Sequence, residues 1–443
     1  MRTLEQSRVS VEPNQESAFA GALQQLVIRY SLSWLAAGCT AGFMIAFLLF
    51  HPTFGKVLGE FSYGRWMPVH LNFQLYGWSA LPVVGVLLKA FLRPGRTALG
   101  QARFVLGFWS LALAMGGVSW FAGETSSKLF LDWAGWPRLL FMAALSVLWG
   151  VLGWNYLLNL RSPGRDSSRP VILLKGILLA GLAVVPWALY HVTERTNYPA
   201  IDPGTGGPTG SSLLASTLGI ILVLAIIPRF LSLVRKPGAN ARAFWIWYAL
   251  AVGYFLAIDH GNSSHRDWRQ IGAVAMLLGG APLLTSYLRG FRWNETSGPW
   301  LNATLCWWCS LVVMGFLVFL PGILDRVKFT HALIAHADLA MPGLITSLNM
   351  LILANLATPP SPAIGALTGR RAFWLWQAAL AVQVVLLLGI SAMEAVNHGE
   401  LWKTNGYAQL FFNLRLLTGI SMGTAAALWV WTAWTGKDYE HAR

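Results

Sequence analysis

The chain has 443 residues, 55% of them hydrophobic and only 11% charged, with a formal net charge of +14. Soluble domains carry about 25% charged residues, so the composition excludes a soluble globular protein. Apolar runs of roughly 20 residues, rather than 10-residue alternating strands, exclude a β-barrel. The positive charge does not point to nucleic acid, because the basic residues sit in short loops between apolar runs, where they set membrane topology.

The N-terminal stretch, with Arg2, Glu5, Arg8, Glu12 and Glu16, has neither an apolar core nor a small-residue cleavage site, so no cleavable signal peptide is expected. Hydropathy and helix breakers predict an all-α polytopic membrane protein of about twelve spans. Their limits are near 28–50, 68–92, 103–122, 137–160, 171–190, 211–235, 242–259, 268–289, 300–323, 329–355, 371–393 and 410–434. The expected organisation is a tail over 1–27, one transmembrane domain over 28–435 and a second tail over 436–443. Joints such as Arg93-Pro94-Gly95 and Arg161-Ser162-Pro163-Gly164 carry the Pro and Gly of turns.

One alternate set of loops holds most of the basic residues, among them Arg93, Arg96, Arg161, Arg165, Arg169, Arg229, Arg235, Lys236, Arg242, Arg289, Arg292, Arg370 and Arg371. The other set balances its bases with acids, as in Glu124 with Lys128, Glu194 with Arg195 and Asp325 with Arg326. The arginine-rich set is expected to be cytoplasmic, with both termini inside. Eight of the nine histidines then fall in the outer half: His51, His70, His191, His260, His265, His331, His336 and His398, with only His441 inside. Imidazole is the commonest metal and haem ligand, so any cofactor site is expected near the extracytoplasmic face.

Phe329-Thr330-His331-Ala332-Leu333-Ile334-Ala335-His336-Ala337-Asp338-Leu339-Ala340-Met341-Pro342-Gly343 opens the tenth span. It puts two imidazoles and a carboxylate at membrane depth, where each polar group costs several kcal/mol without a partner. A shared polar network or a cofactor accounts for that. His70, His260 and His336 sit at span ends, where ligation competes with simple burial; His51 and His265 read as solvated loop residues, and His191 equally as an interfacial anchor or a ligand. The Cys306-x-x-Cys309 pair lacks the following His of a c-type haem site and reads as small buried side chains. Asp202-Pro203-Gly204-Thr205-Gly206-Gly207-Pro208-Thr209-Gly210 lacks the Gly-Lys-Ser/Thr ending of a phosphate loop and reads as a turn capping the sixth span through Thr209 or Ser211.

The order of His-bearing spans resembles the catalytic subunit of the haem–copper oxidases, closest to the C-type (cbb-type) oxidases and the nitric oxide reductases. Gly64-Arg65-Trp66-Met67-Pro68-Val69-His70-Leu71-Asn72 is similar to the second-span motif that opens with a low-spin haem ligand. His336-Ala337-Asp338-Leu339-Ala340-Met341-Pro342-Gly343 is similar to the tenth-span His-x-His-Leu-Ala-Leu-x-Gly, with the second ligand replaced by Asp338. Tyr254-Phe255-Leu256-Ala257-Ile258-Asp259-His260-Gly261 keeps a Tyr and one His of the copper-site stretch, and the sixth span has no His. His398-Gly399-Glu400-Leu401-Trp402 and Asn413-Leu414-Arg415-Leu416-Leu417-Thr418-Gly419 resemble the last loop and the twelfth span.

The resemblance implies a haem–copper-oxidase-like bundle, one or two b-type haems on His70 and His336, and Arg415 near a propionate or Asp338. Asp338 is expected to pair with an Arg or with His70, and Met341 is a further possible ligand. Tyr254 would be the catalytic tyrosine and His260 a remnant copper position. With its ligands depleted, copper is not expected. The implied role is respiratory electron transfer, with other respiratory-complex subunits and an extracytoplasmic cytochrome c as partners, in a bacterial inner membrane. A working oxidase or nitric oxide reductase with an atypical binuclear centre, and a haem-free scaffold or transporter, are the alternatives.

Overall fold

The structure is a computed structural model describing residues 13–51, 53–161, 169–397 and 406–436. It contains eleven helices long and apolar enough to cross a membrane, and one shorter apolar helix. In chain order these are α1 (Pro13–Phe50), α2 (Tyr63–Phe91), α3 (Ala98–Phe121), α4 (Gly135–Arg161), α5 (Arg169–Val192), α6 (Gly210–Phe230), α7 (Arg242–Ala257), α8 (Trp268–Arg289), α9 (Gly298–Phe319), α10 (Ala332–Ala354), α11 (Arg370–Asn397) and α12 (Gly406–Thr435). The protein is an all-α integral membrane protein. Among the described residues the only β pairing is two isolated bridges.

Several boundaries differ from expectation by up to about five residues, and the start of α1 by more. The helix of α1 begins at Pro13, well before its apolar run, so much of the expected N-terminal tail is helical. The seventh span is 16 residues and stops at Ala257, because Ile258 turns to extended backbone. At 1.5 Å per residue it is about 24 Å long, shorter than the ~30 Å hydrocarbon core.

Most helices pack on their chain neighbours, and α1 closes the bundle against α12. α2 and α10 are the most enclosed spans, and their sequences explain why. They carry the amides and hydroxyls that lipid cannot satisfy. Trp78 donates its indole N–H to Thr346 Oγ1 at 2.9 Å, and Asn349 donates to the Trp78 carbonyl at 2.9 Å. That carbonyl is spare because Pro82, four residues on, has no N–H to give it. By contrast α5 is apolar all round, has no buried residue and packs on α4. It is a helix made to face lipid.

Both central spans contain a π-helical stretch, Phe73–Ser79 in α2 and Leu339–Ile345 in α10. Each directly follows the His-bearing segment of its span. In α10 the stretch contains Pro342, whose own carbonyl accepts the Trp376 indole N–H at 2.9 Å. Such bulges concentrate at functional sites because they rotate the side chains on either side of them.

Hydrogen bonds between loops define two ends. At the arginine-rich end, Lys89 donates to the Leu231 carbonyl (3.0 Å), Arg93 to Leu158 (3.2 Å) and the Arg292 N–H to Val234 (2.9 Å). At the histidine-rich end, Arg195 donates to Thr125 (2.7 Å), the Ile201 N–H to Asn262 Oδ1 (3.0 Å) and Lys328 to Gly204 (3.1 Å). The two alternating sets of loops read from the sequence are therefore the two ends of one bundle.

Candidate functional site

His70 lies on α2 against a face of α1 that glycine makes flat. A Cβ on Gly42 would sit 2.7 Å from His70 Cε1, and one on Gly38 would sit 2.7 Å from Gln74 Nε2. Gly38 and Gly42 are four apart on α1, as His70 and Gln74 are on α2, so two large side chains lie across two small ones. His70 Nδ1 is 2.8 Å from the Gly38 carbonyl oxygen. A carbonyl only accepts, so the proton is on Nδ1 and the lone pair is on Nε2. Nε2 finds no hydrogen-bond partner among the described residues.

His331 stands at the start of α10, and Glu394 of α11 grips it twice. One carboxylate oxygen accepts the His331 backbone N–H at 2.9 Å, and the other lies 2.7 Å from Nδ1. Thr330 and Ser391 hydroxyls meet 2.6 Å apart beside them, and the ring packs edge-on to Phe412. As at His70, one nitrogen is anchored and Nε2 is not. Glu394 was missed in the sequence reading; the available signal was one carboxylate within an otherwise apolar span.

Asp338 accepts from Gln383 Nε2 at 2.6 Å, and Gln383 Oε1 accepts from the Thr418 hydroxyl at 2.8 Å. This chain crosses α10, α11 and α12. The hydrogen-bond partner of Asp338 is therefore an amide, not the Arg or His70 expected, because Gln383 from α11 reaches it first. His331 and Asp338 are seven residues apart, two helical turns, and face the same side.

Arg415 of α12 acts electrostatically on Tyr63, His70, His331 and Asp338. Its guanidinium makes no ion pair or hydrogen bond with a described residue. A half-buried cation within a span, surrounded by neutralisable groups and lacking a dedicated counter-ion, is costly unless an anion joins it.

His336 is not in this group. Residues two apart on a helix point about 200° apart, so His336 faces away from Asp338, onto α9. Its Cε1 lies 3.0 Å from where a Gly315 Cβ would be, and its Nδ1 is buried with no partner. Tyr254 and His260 are elsewhere again. The Tyr254 hydroxyl donates to the Arg269 carbonyl at 3.0 Å and packs over Gly272 of α8. His260 is exposed, its ring on Phe255. α7 packs on α6 and α8, and α8 in turn on α9. Tyr254, His260 and His336 do not form one donor set, and no group of three or more His, Cys, Asp or Glu among the described residues is arranged to hold a metal ion.

His265 corrects the expectation of an exposed loop residue: it is 1% exposed. Nδ1 lies 2.6 Å from Asp202 and Nε2 lies 3.3 Å from Asp325, the latter off the line of a hydrogen bond. Burial works against the Asp202 carboxylate, but the Thr205 hydroxyl, the Gly204 N–H and His265 together hold it below the usual range. Asp325 is held low by the Gly322 N–H and by Arg266. The turn that begins at Asp202 ends as expected, with Thr209 accepting the Ser212 N–H at the start of α6. His191 stacks on Trp187, and His51 is exposed. Cys306 is exposed rather than buried, and Cys309 is half-buried near the Thr285 hydroxyl. His398 and His441, with the Glu400-Leu401-Trp402 stretch, lie outside the described residues.

No family model matches the chain, and no curated protein matches it.

Proposed function

We propose that this protein binds b-type haem at the histidine-rich end of the bundle. In this reading it serves respiratory electron transfer as a membrane subunit resembling the haem–copper oxidases. One observation carries the reading: His70 has its Nδ1–H committed to the Gly38 carbonyl and its Nε2 without a partner among the described residues, within the electrostatic reach of Arg415, which pairs with no described carboxylate. An acceptor on one nitrogen fixes ring orientation and raises the basicity of the other, which is what an axial ligand needs. His331, oriented in the same way by Glu394, supplies a second imidazole two helical turns before Asp338 and on its side of the helix. Arg415 suits the negative charge of a propionate. His336, with its orphaned buried Nδ1 facing α9, is the ligand for a second haem if there is one.

Bound haem would supply one-electron transfer. The chain's own residues bind and orient it: Gly38 and Glu394 set the two rings, Arg415 balances charge, and the Asp338–Gln383–Thr418 chain holds α10 against α11 and α12. The residues do not fit a copper centre, since Tyr254 and His260 face α8 and an exposed loop, so no reduction of O2 or NO is assigned. The electron partner in this reading is a cytochrome c on the extracytoplasmic side, with other respiratory subunits alongside. The arginine bias of one set of loops supports a bacterial inner membrane orientation with both termini cytoplasmic.

A second reading, a haem-free scaffold or transporter, is favoured by one feature. The Asp338–Gln383–Thr418 and His331–Glu394 links already give both carboxylates of α10 and α11, Asp338 and Glu394, hydrogen-bond partners from the chain itself. A reduced-minus-oxidised spectrum of the purified protein, with metal analysis, separates the two. A haem band that His70→Ala abolishes supports the first. Absence of haem from protein purified from haem-replete cells overturns it in favour of the second.

A further inference from the structure

The arginine-rich end holds a second unexplained group. A pocket of about 480 Å³ lies between the end of α6 and the start of α7, lined by Arg229, Arg235, Asn240, Arg242, Trp245 and Ile246 among others. No carboxylate lines it, and none of its three arginines forms an ion pair with a described residue. Arg235 Nε and Nη2 are shielded from solvent and have no hydrogen-bond acceptor. Shielded guanidinium donors without an acceptor are expensive to leave so, and Arg235 has two of them among the described residues.

The fork is also held in place. The backbone of Arg235 bridges Phe291, with the Lys236 N–H on the Gly290 carbonyl at 2.8 Å and the Arg292 N–H on Val234 at 2.9 Å. The guanidinium lies 5.3 Å from the Tyr287 ring centroid and 5.2 Å from that of Phe291. Nε and Nη2 are covered by the protein, so what Arg235 offers the pocket it lines is a fixed positive charge beside those of Arg229 and Arg242, which suits a phosphate. The first turn of α7 opens beside it, with the Asn240 side chain accepting the Arg242 N–H at 2.8 Å, and adds the positive end of a helix dipole.

We propose that this pocket binds the phosphate group of an anionic phospholipid. The apolar side of the pocket supports a lipid rather than a free ion. Trp245 stands at the start of α7, and Ile246 and Leu250, one turn apart, are 61% and 63% exposed. They make a track for an acyl chain that starts at the phosphate. Basic pockets between helix ends are a known means of holding acidic lipid headgroups. The proposal is independent of haem, because the pocket lies at the other end of the bundle.

The test is native mass spectrometry of the full-length protein after exchange into phosphatidylglycerol or phosphatidylcholine, with inorganic phosphate as a third arm. Retention of phosphatidylglycerol over phosphatidylcholine by about tenfold is expected. Arg235→Gln is expected to erase that preference. Arg229→Gln with Arg242→Gln, both at exposed positions, is expected to weaken it about threefold or more, which keeps the test open should Arg235→Gln fail to fold. Millimolar phosphate that leaves the lipid bound identifies the lipid as the source; phosphate that displaces it at equal charge identifies a free-phosphate site and overturns the lipid assignment. Equal retention of both lipids, or a preference unmoved by all three substitutions, overturns the site.

Discussion

Two imidazole–carboxylate pairs of nearly equal length sit at the same end of this protein and do different work. His265 meets Asp202 at 2.6 Å, and His331 meets Glu394 at 2.7 Å. The difference is in the second nitrogen. His265 has the Asp325 carboxylate 3.3 Å from Nε2, a charge contact rather than a hydrogen bond, and is sealed at 1% exposure, so carboxylates from two other loops close in its ring from both sides. His331, like His70 on its carbonyl, is fixed through Nδ1 alone. An imidazole sealed between two carboxylates is a strut; one anchored on a single side is oriented and still able to bind. The distinction lies in what surrounds the ring, since all three are histidines beside apolar runs.

Substitutions can break or sharpen that contrast. The largest effect is expected at the strut. His265→Ala leaves Asp202 buried without its partner and is expected to cost about 3–5 kcal/mol in unfolding free energy. A thermal melt unchanged from wild type would contradict it, and haem content per folded molecule should not change. At the open rings the pattern reverses. His70→Ala removes one hydrogen bond, about 1 kcal/mol in the haem-free protein, yet is expected to abolish a haem band, and His331→Ala to shift or abolish it. Haem content preserved in both would sink the assignment, and His51→Ala serves as the unaffected control.

A smaller effect is expected from Gly42→Ala, whose new Cβ would lie 2.7 Å from His70 Cε1. It should cost about 1–3 kcal/mol by overpacking and alter the haem spectrum while every ligand remains. Gly21→Ala on the same helix meets nothing within 4 Å and is expected to be neutral or slightly stabilising.

The smallest effect is with pH. Asp202 and Asp325 have carboxyl pKa values depressed below the ordinary 3.8. Their contribution is present above that value and is lost as pH falls through the lower folded values. Loop protection, followed by hydrogen exchange at residues 199–209 and 258–267, should hold at pH 5 and decline only in stronger acid. A decline beginning at pH 6 would require another group.

Much of the frame was legible in the chain. Span positions follow from runs of apolar residues, and the two ends follow from the arginine bias, because both are local or periodic features. Thr209 was readable as a cap for the same reason. The network around the rings was not. Glu394 lies 63 residues from His331, Asp202 lies 63 from His265, and Gln383 lies 45 from Asp338. No local pattern links such pairs, so His265 looked solvated and Asp338 looked destined for an arginine. Gly38 and Gly42 were plain in α1, but a small residue shows its purpose only when the side chain that fills its space is known.

By itself the sequence determined that this is a helical membrane protein with histidines gathered at one end and arginines at the other. Apolar content and charge placement act through the bilayer and need no partner residue to take effect. Only the tertiary structure decided which histidines have a free nitrogen, which cations lack a counter-ion, and which of two residues in one motif faces which neighbour. Those properties belong to contacts between helices distant in the chain, and they come into being only when the helices pack.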